Sequence, residues 1–123
     1  MQFTLLMVAA AIALAGAIFH GIVGGRIYMK NIRESQVAPL TQSLSLVSWQ
    51  MFTVLLLVSA ITFMLVAWQP HWALMAVPLI GANAAGACLF LVLSLIGHSA
   101  LIKLPGFYLM GLTALLAWFG LPL

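Results

Sequence analysis

From Ser35 to Ile102 the chain passes without a single Asp, Glu, Lys or Arg. A water-soluble fold cannot leave so long a stretch bare of charge, because its outer surface must be covered largely by groups that water solvates. The whole 123-residue chain carries four basic and one acidic side chain, against 66% hydrophobic residues and a mean hydropathy of +1.27. Soluble domains carry about 25% charged residues. The expected fold class is therefore all-α, an integral membrane four-helix bundle with four transmembrane helices and short loops. About 20 apolar residues at about 1.5 Å rise cross a hydrocarbon core of about 30 Å, so a chain of this length has room for four spans in one transmembrane domain, residues 1–123.

The spans are expected at about 3–24, 46–68, 72–97 and 101–121. Met1-Gln2-Phe3 lacks the basic opening of a secretory leader, so the first apolar run reads as a span. Gly25 to Ser45 holds Arg26, Lys30, Arg33 and Glu34, then Pro39, Thr41, Ser43 and Ser45, and is expected to be the one substantial loop. Gln69-Pro70-His71 turns the chain tightly between the second and third spans, and Lys103 and Pro105 mark the start of the fourth.

In this arrangement the first and third connections fall on one side of the membrane and hold every basic residue, Arg26, Lys30, Arg33 and Lys103. Basic residues beside spans stay on the cytoplasmic side. The expected location is thus a bacterial cytoplasmic (inner) membrane, multi-pass, with both termini outside the cytoplasm. Trp68, Trp72 and Trp118 fit the outer aromatic belt, and Tyr28 and Trp49 the inner one.

Helices in lipid associate by close backbone approach, so rows of Gly and Ala mark the faces that meet other helices. Ala9, Ala13, Ala17, Gly21 and Gly25 recur every four residues and carry His20 close to the same face. Asn83, Gly86, Ala87, Phe90, Ser94 and Gly97 form a stripe on the third span, and Gly106, Met110, Thr113, Ala117 and Gly120 one on the fourth. The lone Cys88 is expected to be a small core residue.

There is no Asp, and Glu34 is the only acidic side chain. Paired-carboxylate catalysis, a Ser-His-Asp triad and carboxylate-ligated metal hydrolysis all need residues the chain lacks, so an enzyme acting alone is not expected. Four basic residues make no phosphate-tracking surface, which argues against nucleic acid. Small multidrug resistance transporters have this size and span number but depend on a carboxylate in their first helix, where this chain has His20.

The remaining polar groups supply the candidates. Asn83 is an amide at mid-membrane depth and, with Gln50, is the candidate substrate pathway. His20 and His98 lie toward the cytoplasmic side, where two imidazoles on facing helices could hold haem b or one could bond a quinone, with Arg26 or Lys103 as partner for an anionic group. The competing reading has His20 bonding a neighbouring helix, through Gln50, and His98 capping a helix end. No cofactor is expected on that reading. Arg26, Lys30 and Arg33, at i, i+4 and i+7 if the first helix continues into the cytoplasm, form one basic face expected to meet solvent or anionic headgroups, with docking to an acidic partner subunit as the alternative.

The segment Phe19-His20-Gly21-Ile22-Val23-Gly24-Gly25-Arg26-Ile27-Tyr28, a basic loop, a Trp near the start of the second span and a Pro-led fourth span together resemble small four-span bacterial membrane proteins that are generally uncharacterised. The resemblance covers most of the chain and implies no function. Trp49-Gln50 stands where that pattern has Trp followed by His. The leading expectation is a noncatalytic membrane component that self-associates or joins other integral membrane subunits. An electron-transfer anchor using His20 and His98, and an oligomeric transporter or channel with Asn83 in its pathway, are the alternatives.

Overall fold

The computed structural model describes residues 1–122, and these are helical almost throughout. Helix α1 (Gln2–Ile18) passes into a π-helical stretch, Phe19–Gly24, and then into α2 (Gly25–Glu34), making one continuous rod. Helix α3 (Pro39–Trp68), a 3-10 turn at Pro70–Trp72, α4 (Ala73–Leu95), a 3-10 segment at Ser99–Lys103 and α5 (Pro105–Gly120) follow. Three of these helical rods, Gln2–Glu34, Pro39–Trp68 and Pro70–Leu95, are long and apolar enough to cross a membrane, and Pro105–Gly120 is a shorter apolar helix.

The rods form a square bundle in which α1 packs on α3 and α5, and α4 on α5 and, less extensively, α3. Consecutive rods run antiparallel, so α1 and α4 occupy opposite corners. At one end Gln2 donates from Nε2 to the Leu121 carbonyl at 3.2 Å, and Phe3 meets Trp68 edge to face at 5.2 Å. The other end holds α2, the start of α3 and the Ser99–Lys103 segment.

The core is made largely of alanine: Ala9, Ala10, Ala13, Ala17, Ala60, Ala73, Ala76, Ala87, Ala114 and Ala117 are all buried, with Leu6, Phe63, Val66 and Ile80 between them. The large apolar side chains are mostly outside, where Leu74 is 76% and Phe119 68% exposed. The expected small-residue rows thus face inward on α1 and α5, whereas the α4 stripe is buried only as far as Ala87 and ends exposed at Gly97. Cys88 is a correction: it is exposed, because α4 turns Ala76, Ile80, Asn83 and Ala87 inward and Cys88 lies about 100° around from Ala87.

The polar stretch 25–45 is also corrected. Gly25–Glu34 continues the first rod, α3 begins at Pro39, and the connection shrinks to residues 35–38. Gly25, Tyr28, Met29 and Ile32 recur at helical spacing on the inner side of α2, which gives the basic segment an amphipathic face to lay beside α3. Pro39 at the first turn suits a helix start, its missing N–H being one that no helix bonds. The other end of α4 closes at Gly97, whose φ of 122° is a conformation only glycine adopts freely, while His98 N–H bonds the Leu93 carbonyl at 3.0 Å. The fourth helix starts at Pro105 instead of residue 101, because a residue before proline avoids helical angles and Leu104 is extended at φ −80°, ψ 143°.

Candidate functional site

His20 lies in the π-helical stretch, where a wider turn realigns the backbone. The Gly25 N–H reaches the His20 carbonyl, five residues back. The same carbonyl accepts a second hydrogen bond, at 2.9 Å, from the Trp49 indole Nε1–H on α3. Gln50 Nε2 approaches the Gly21 carbonyl at 3.5 Å, and His20 Nδ1 lies 3.0 Å from Thr53 Oγ1. One turn of α3 therefore grips one turn of the first rod at three points.

Aromatic rings complete the grip. Trp49 is stacked on His20 at 4.2 Å with planes 7° apart, and on Tyr28 at 4.4 Å with planes 15° apart. Phe52 meets the imidazole at 5.0 Å and 64°. Glycine makes room for this: a Cβ on Gly21 would lie 2.8 Å from Thr53 Cγ2, and one on Gly24 would lie 3.0 Å from Trp49 Cζ2. The helical spacing of the small residues showed that His20 faces protein, but its side-chain partner is Thr53 and not Gln50. The contribution of Trp49 and Tyr28 to this cluster goes beyond an interfacial belt.

The structure does not bring His98 to this cluster. His98 is exposed on the connection after α4, at the corner opposite α1, whereas the His20 ring is engaged by α3. Arg26 and Lys103 are exposed at the same end of the bundle. Among the described residues the one ion pair joins Lys30 and Glu34 at 3.9 Å, both well exposed, and no cluster of His, Cys, Asp and Glu is suited to a metal ion.

The second polar location is Asn83, fully buried near the middle of α4. Its Nδ2 donates to Ser59 Oγ on α3 at 3.1 Å and to the Leu79 carbonyl one turn back at 2.9 Å. Its Oδ1 is buried without a hydrogen-bond partner among the described residues. Leaving such an oxygen unpaired costs about 1–3 kcal/mol. Gln50 is not part of this location, since it sits with His20 nearer the other end of α3. Compared with known proteins, the chain matches no family model, no curated protein and no solved structure.

Proposed function

We propose that the chain is a four-span integral membrane protein that serves as a noncatalytic component of a membrane assembly, through self-association or as an accessory subunit. The observation that carries this reading is the skew of size across the bundle: alanine is the commonest buried residue, while most of the leucine, isoleucine, valine and phenylalanine side chains face outward. In water that arrangement exposes the groups that most need burial; in lipid it lets backbones approach while the large side chains meet acyl chains. The 16 residues of α5 span about 24 Å, and the preceding 3-10 segment carries the chain the rest of the way to the basic end.

The polar groups facing inward act in packing. His20, Thr53, Trp49 and Gln50 join the first rod to α3, and Asn83 joins α4 to Ser59. The basic residues at one end favour an orientation with that end in the cytoplasm and both termini outside, in a bacterial inner membrane. Native mass spectrometry of protein extracted gently from its own membrane tests the reading. A homo-oligomer or an assembly with other membrane subunits is the expected result, and a ligand-bearing monomer would overturn it. Transport past Asn83 is a second reading, favoured by the unpaired amide oxygen at that depth. It requires Asn83→Leu to abolish flux in proteoliposomes.

A further inference from the structure

We propose that a water molecule is bound between α3 and α4 at mid-bundle, donating a hydrogen bond to Asn83 Oδ1 and accepting one from the Ser59 hydroxyl. The orientation of the amide is settled by its neighbours. Exchanging its oxygen and nitrogen would set Oδ1 against the Leu79 carbonyl at 2.9 Å, two acceptors face to face, so the nitrogen must be the atom that bonds Leu79 and Ser59. Both amide hydrogens are then used, and Oδ1 is left buried with no donor among the described residues.

Ser59, also fully buried, accepts from Asn83 Nδ2, which leaves its own hydroxyl hydrogen to give. One water satisfies both needs, and two or more polar partners are what an interior water requires. Along the chain the two polar residues stand beside small ones, Ala60 next to Ser59 and Ala87 one turn on from Asn83, and α4 packs less extensively on α3 than on α5. The inference concerns the interior alone and stands whether the assembly reading succeeds or fails.

Solid-state NMR of the labelled full chain in lipid bilayers tests it, by following magnetisation from water protons to assigned side chains and amides. The Asn83 side-chain amide is expected to receive water magnetisation severalfold faster than the buried Phe63 and Ala76. In Asn83→Leu, and separately in Ser59→Ala, the fast transfer seen at the Ala84 amide should fall to the level of Ala76. Transfer to Asn83 as slow as that to Phe63 would overturn the proposal, as would fast transfer at Ala84 that survives both substitutions. A donor from a second chain in contact with Asn83 would also overturn it, and would appear as an intermolecular cross-peak in a mixed-label sample.

Discussion

Trp49 holds the first rod in two ways: the indole N–H bonds the His20 carbonyl, and the ring stacks on both the imidazole and Tyr28. Trp49→Phe keeps an aromatic ring and removes the donor, so it should lower stability by about 0.6 kcal/mol, the typical worth of an interhelical hydrogen bond in a membrane. Trp49→Ala removes the stack as well and should cost about 2 kcal/mol, with loss of near-ultraviolet circular dichroism from the ring cluster. Equilibrium unfolding in mixed micelles measures both, and equal costs would show that the stacking contributes nothing. That His20 faces protein was legible from the four-residue recurrence of Ala and Gly. Its choice of Thr53 over Gln50 was not, because two residues one turn apart on α3 are separated only by helix register, which the π-helical turn shifts.

At the scale of the element, the glycines at helix crossings differ in what they hold apart. A Cβ on Gly120 would lie 3.0 Å from the backbone nitrogen of Leu6, and a backbone cannot step aside. On Gly86 it would meet the terminal methyl of Met110, the far end of a flexible side chain. Gly120→Ala should therefore cost about 1–3 kcal/mol by forcing α5 away from α1, and Gly86→Ala distinctly less. Thermal unfolding of the two variants ranks them, and the reverse order would contradict this account. The inward rows on α1 and α5 could be read from sequence. Polarity marked Gly25–Glu34 as loop while the i, i+4, i+7 spacing of Arg26, Lys30 and Arg33 allowed a helix; the helix prevails because one that lies beside a neighbour outside the apolar core needs only a narrow apolar face, here Tyr28, Met29 and Ile32.

For the whole molecule, the all-helical architecture followed from the length of the apolar, charge-free runs, because a segment of that kind suits surroundings without water, where a helix bonds its backbone within itself. What the assembly contains did not follow, since small residues and apolar surfaces record that helices touch but not which helices. Orientation is the property most open to experiment. If the proposed orientation holds, replacing Arg26, Lys30, Arg33 and Lys103 together by Gln should abolish the charge bias behind it, and terminal reporter fusions should then divide between the two sides. With His20 engaged by α3 and His98 exposed at another corner, a reduced-minus-oxidised spectrum of the purified protein should show no haem band.

The rods also differ greatly in length. The first runs for 33 residues, about 50 Å, and α5 for 16, about 24 Å, so α2 and the beginning of α3 overhang the bundle at the basic end. The overhanging α2 is not free of the bundle: Tyr28 stacks on Trp49 at 4.4 Å, so the aromatic cluster that joins the first rod to α3 also ties down the basic helix beyond it.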